Sequence, residues 1–285
     1  MRTRVMAAVV ALVWLASAAA AQEMLVDLFI VKVKPEKRAV FEAVTKKFAE
    51  ANRKTGDRWI ASETVYGEHG WVYFWSLRPK YGAIDEGMAA FEGALAKAYG
   101  PAGMGKLFGD FSTCIESERG EIRRTRPDLS RNYPGETTAL NRIVAEAKYY
   151  RSSIYHIRPG RVGDFENLLK MFIEAYKRTD NTDVVLVSQS NVGQHGNVFY
   201  STQFAKSLGD FDKAPIPTRK LLGDDGYRRY QQTLMESVAS VDTMINKLNP
   251  ALSAAPDEIV KIAPAVWNPK PPAAAPAAKK TEKTE

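Results

Sequence analysis

The sequence predicts an α+β fold: two tandem ferredoxin-like (β-α-β-β-α-β) units whose sheets close on each other as one intramolecular barrel. Two observations carry this. First, the chain repeats itself. Residues 35–55 and 159–179 align without gaps and share eight identities in 21, among them Pro35/Pro159, Phe41/Phe165, Phe48/Phe172 and Thr55/Thr179. Chance pairing at ordinary residue usage gives roughly one or two. Second, each copy lies in the same succession of apolar patterns, which is the split βαβ plan.

In the first unit, "MLVDLFIVKV" (24–33) is β-branched and apolar and reads as a strand. Pro35 opens a helix, where its missing N–H costs nothing. Phe41, Val44, Phe48 and Ala51 form one helical stripe, and Gly56 stops it. "RWIASETVY" (58–66), the turn "GEHG" (67–70) and "WVYFWSL" (71–77) make a hairpin. A helical region over 86–117 and a polar edge strand, "ERGEIRRTR" (118–126), complete the unit.

The second unit, 148–253, repeats the order. "YYRSSIYHI" is its first strand, and Phe165, Leu168, Phe172 and Ala175 stripe its helix. "DVVLVSQSNV", "GQHG" and "NVFYSTQF" form the hairpin, "TRKLLGDDGYRRYQQTLMESV" the second helix and "SVDTMINKL" the last strand. The offset grows from 124 to 126 at His69/His195, and the exits "RPDLS" (126–130) and "NPALS" (249–253) also correspond. Residues 132–147 read as a linker. Two helices on one face of a four-stranded sheet leave the other face bare. Two such sheets can cover each other, so the duplication is expected to give an intramolecular pseudo-dimer that exists as a monomer.

The ends lie outside this plan. Arg2 and Arg4, the apolar run Val5–Leu15 and Ala19–Ala21 before Gln22 make 1–21 a signal peptide. The protein is therefore expected to be secreted or periplasmic, with no transmembrane segment after cleavage. Residues 254–285, rich in Pro, Ala and Lys, are expected to form a disordered tail. The formal charge is +7, and without the leader and the Lys-rich end the body is near +3. That does not support a nucleic-acid partner. The single cysteine, Cys114, rules out an internal disulfide.

A strand, "VKPEK" or "IRPGR", and then a helix with an early Phe resemble the dimeric α/β barrel superfamily. The antibiotic biosynthesis monooxygenase-like and NIPSNAP-like domains are the most similar. The likeness spans residues 24–253, and its motif is structural. It implies a barrel and leaves open cofactor-free oxygenases, haem-degrading enzymes, isomerases and ligand binders.

Chemistry is sparse in the sequence. HxH, HExxH, CxxC and GxSxG are all absent, so no metal site and no cofactor is read. "GPAGMGKL" (100–107) has Leu107 where a phosphate loop needs Ser or Thr, and reads as a helix-interrupting loop. His69 and His195 sit in turns. His156 replaces the Lys32 of the first unit, and if it faces inward it is the candidate catalytic acid, base or ligand; otherwise it is a strand-end histidine. Tyr73, Trp75, Tyr155 and Tyr200 are candidate ligand-binding residues around a flat apolar molecule, or else core packing. Tyr155 and His156 point to opposite faces, so at most one lines the barrel. The expected function is the binding of a small apolar or aromatic molecule in the barrel. A cofactor-independent monooxygenase acting on quinol- or phenol-like substrates and a non-catalytic interaction module are the alternatives. A single site is expected in the second unit.

Overall fold

The computed structural model describes residues 23–213 and 215–268. The predicted signal peptide and the last 17 residues lie outside them. Eight strands form one closed antiparallel barrel in the order β1-β3-β2-β8-β5-β7-β6-β4. They are β1 (Leu25–Val33), β2 (Ile60–Tyr66), β3 (Trp71–Arg78), β4 (Ile115–Thr125), β5 (Tyr149–Ile157), β6 (Leu186–Val192), β7 (Asn197–Ala205) and β8 (Val238–Leu248). Both halves follow the same order of elements. β4-β1-β3-β2 comes from the first and β6-β7-β5-β8 from the second, and the seams are β2·β8 and β4·β6. β4 is therefore no edge strand: its second partner, β6, comes from the other half.

Helices cover the outside. In the first half α1 (Arg38–Thr55) and α2 (Gly82–Thr113) pack together. The predicted stripe Phe41, Val44, Phe48 and Ala51 is buried. α2 is two helices joined at Gly100 (φ 68, ψ 168), with Pro101 restarting the second segment. α3 (Thr137–Glu146) follows, then α4 (Val162–Tyr176) and α5 (Thr218–Ser237) cover the second half. α5 breaks in the same way at Gly223 (φ 71, ψ 175). Among the described residues no helix is long and apolar enough to cross a membrane.

Three further sequence expectations need correction. The linker 132–147 contains α3, whose Val144 and Ala145 are buried. The segment after 253 is ordered to Trp267 through α6 (Asp257–Ile262) and α7 (Pro264–Trp267). The cause is apolar burial: Ile259 and Trp267 pack on Val144, Ala145 and Ala147, and the Trp267 indole donates to the Ala145 carbonyl at 3.0 Å. Finally, the hairpin correspondence is one residue longer than the turns suggest. Ile30 faces Tyr73 and Ile154 faces Tyr200, so Tyr200 is the counterpart of Tyr73, an offset of 127.

The corresponding exits are exchanged straps. Ser130 accepts from the Val187 amide at 2.9 Å, and Arg126 N–H donates to the Val187 carbonyl at 2.8 Å. Ser253 and Asn249 do the same to Ala61, both at 2.8 Å. Each half thus ends by hydrogen-bonding to a strand of the other.

Candidate functional site

Facing residues of an antiparallel ladder share a side, and the register therefore sorts the candidates. Tyr73, Trp75 and Tyr200 face the lumen, with Leu28, Ile30, Tyr150, Phe204 and Met244. The expected aromatic-lined space in the barrel is instead packed with these side chains. Trp75 and Tyr150 both contact the Phe204 ring, and the Tyr150 hydroxyl is 2.8 Å from Ser62 Oγ.

The centre of the lumen holds a charged cluster. Glu121, 1% exposed, accepts from the Tyr200 hydroxyl, from Arg123 Nε at 2.8 Å and from Gln194 Nε2 at 3.1 Å. The Arg123 guanidinium lies 3.4 Å over the Tyr200 ring. Burial works against the Glu121 charge, but the positive charge of Arg123 and hydrogen bonds from Arg123, Tyr200 and Gln194 outweigh it and hold the carboxyl below its ordinary range. Burial, with the Glu121 charge, pushes the Tyr200 hydroxyl far up, so it stays a donor. Every acceptor here is occupied, and the cluster reads as a structural pin.

Of this cluster the sequence reading named Tyr200 and missed Glu121, Arg123 and Gln194. The available signal was alternation in Ser117, Arg119, Glu121, Arg123 and Thr125, polar at every inward position of β4. An edge strand explained it equally well.

His156 does face inward, opposite Val198 and Ser240, but at the end of its strand. Its side chain is 38% exposed and its Nε2 is 3.7 Å from Asp242. Tyr155 faces the helices, where its ring packs 5.2 Å from Phe165. The structure therefore separates the five candidates: three lie in the packed lumen, His156 at its rim and Tyr155 outside it.

Tyr155 lines the more suggestive space. A cavity of about 420 Å³ lies between the outer sheet face of the second half and α4 and α5. Phe165, Leu168, Phe172, Leu234 and Val187 wall it, with Tyr176, Tyr230 and Ser201. The first half shows why it is open. There, the facing pair Phe29 and Phe74 stacks at 6.3 Å, and α2 adds Phe108 and Phe111 against Phe48 at 5.7 and 5.5 Å. The ladder puts Ser153 and Ser201 in place of that facing pair. Counted from the kink glycines, Gln231 and Leu234 replace Phe108 and Phe111. Those four rings are absent at the matching positions, while Tyr155, Tyr176 and Tyr230 line the space.

No family model matches this sequence, and no curated protein sequence matches it. Among solved structures, the chain is similar to a chlorite dismutase from Candidatus Nitrospira defluvii in complex with imidazole. The identity is 11%, the coverage 84% of this chain and 95% of that one, and the TM-score 0.45. An anthrone oxidase-like protein aligns at 10% identity over 81% and 93%, with a TM-score of 0.46. A heme-binding protein from Thermus thermophilus aligns at 14% identity over 79% and 90%, with a TM-score of 0.40.

Proposed function

We propose that the chain is a duplicated barrel of two tandem ferredoxin-like units that binds one small apolar or aromatic molecule. The seat is the second-half cavity between sheet and helices, outside the lumen. The observation that carries this reading is the cavity itself: about 420 Å³ between the sheet and helices of the second half, where Ser153 and Ser201 stand at the places of the stacked Phe29 and Phe74. That volume is in the usual range for small-molecule sites, and its walls are apolar with a few hydroxyls, as such sites require. A cavity this large without an occupant costs stability through lost packing, so the fold has reason to fill it unless the space is used.

The oxygenase alternative needs a base beside the substrate ring. The lining residues include no Asp, Glu or His, and Tyr155 is held protonated by burial. The binding reading is therefore preferred. Its test is a neutral fluorescent probe, N-phenyl-1-naphthylamine. One saturable site is expected, and Ser201→Phe, which restores the ring that Phe74 supplies in the first half, should abolish it. Binding that survives Ser201→Phe in a folded protein would place the probe elsewhere.

A further inference from the structure

We infer that the occupant of this cavity is an apolar carboxylic acid whose carboxylate is held by Arg131 at the mouth; the inference rests on the cavity being a binding site. Among its lining residues Arg131 alone carries a charge. It stands just beyond the exchanged strap, pinned by its backbone to Val185 at 2.9 and 3.0 Å. Its Nε donates to the Asp183 carbonyl at 3.2 Å, and its guanidinium lies 4.0 Å over the Tyr176 ring.

These contacts fix the plane of the fork and leave both terminal nitrogens without a protein partner among the described residues. Arg126, five residues earlier on the strap, is by contrast fully engaged by Asp128 and Glu166. Asp183, whose carbonyl accepts from Arg131, has its carboxylate bonded by Asn181.

The repeat supplies a second, independent observation. The bridges Arg131·Val185 and Trp59·Ala254 occupy the same place in the two halves, so Ala254 is the counterpart of Arg131. The helical alignment makes Asn52 the counterpart of Tyr176. At these positions the first half has neither the guanidinium nor the ring that orients it. The half with the cavity has both.

A stacked guanidinium is pre-organised for bidentate pairing with a carboxylate. At the mouth of an apolar cavity that pair is partly desolvated, so a neutral analogue of equal size leaves the fork without its counter-charge. Aromatic and aliphatic acids both meet this requirement, with the apolar body against Phe165, Leu168 and Phe172.

The test is calorimetric titration of the full chain with 1-naphthoate, decanoate, and the neutral partners 1-naphthalenemethanol and decanol. At least one acid should bind about tenfold more tightly than its alcohol, a difference of one charged hydrogen bond or more. Arg131→Gln should erase that preference, bringing the acid to the affinity of its alcohol in the same variant, and Arg131→Lys should restore part of it. The naphthyl and decyl arms tell a flat occupant from a flexible one. Equal binding of acid and alcohol by the wild type would overturn the anion inference and leave the cavity reading intact. Binding of neither acid nor alcohol would overturn both.

Discussion

Glu121 shows at the scale of one residue how this barrel tolerates charge in its centre. A buried carboxylate is costly unless paired and hydrogen-bonded. Glu121 has a guanidinium, a phenol and an amide around it. The partners come from β4, β7 and the β6–β7 turn, so the cluster ties the two halves together across a seam. Glu121→Gln should destabilise the fold by about 3 kcal/mol at neutral pH, because it leaves Arg123 buried without its counter-charge. The pH dependence has a definite sign. The folded carboxyl is depressed below its ordinary value of 4.5, so its contribution is complete above that pH and is lost as pH falls through the folded value. The gap in melting temperature between wild type and Glu121→Gln should thus narrow below about pH 4.5. A gap of constant size down to pH 3 would show that the charge is not what the pair stabilises.

At the scale of elements, the repeat extends to the defects in the helices. Gly100 and Gly223 both take φ near +70° with ψ near 170°. Side chains other than that of glycine rarely adopt this backbone conformation. A Cβ at either position would meet no atom within 4 Å. The cost of Gly100→Ala or Gly223→Ala is therefore purely backbone strain, about 1–3 kcal/mol each, read from urea unfolding midpoints. A neutral effect would mean that the kink can straighten without loss of packing. The kink divides α2 so that its second segment, with Phe108 and Phe111, packs against α1.

At the scale of the whole molecule, neither half closes anything alone. The strands β2 and β4 of the first half find their outer partners only in β8 and β6 of the second, and the exit straps bond across. Segments 24–131 and 148–253 expressed separately should each aggregate or self-associate, and should recover a monomeric complex when co-expressed. Light scattering after size exclusion reads this directly. Two stable monomeric halves would contradict a shared barrel, since each would expose two unpaired strand edges and the inner face of its sheet.

What the sequence determined by itself is the repeated order of elements, the buried helical stripe and the closure of two sheets on each other. Those features are written in short-range apolar periodicity, as in Phe41, Val44 and Phe48 with their counterparts 124 residues on. It also determined that the two halves are not equivalent. The tertiary structure alone decided where that difference falls. Tyr155 and His156 are neighbours with apolar residues on both sides, and only the pairing of β5 with β7 and β8 sends one to the helices and the other to the lumen rim. Likewise β4 reads as a polar edge until β6 pairs with it and buries Glu121. The cavity was least legible of all. It is a volume bounded by Ser201 of β7, Phe165 and Phe172 of α4 and Tyr230 and Leu234 of α5, residues on three elements that meet only when the helices fold over the sheet. Local pattern records which residues are apolar, but a void depends on the summed size of side chains brought together from far apart in the chain.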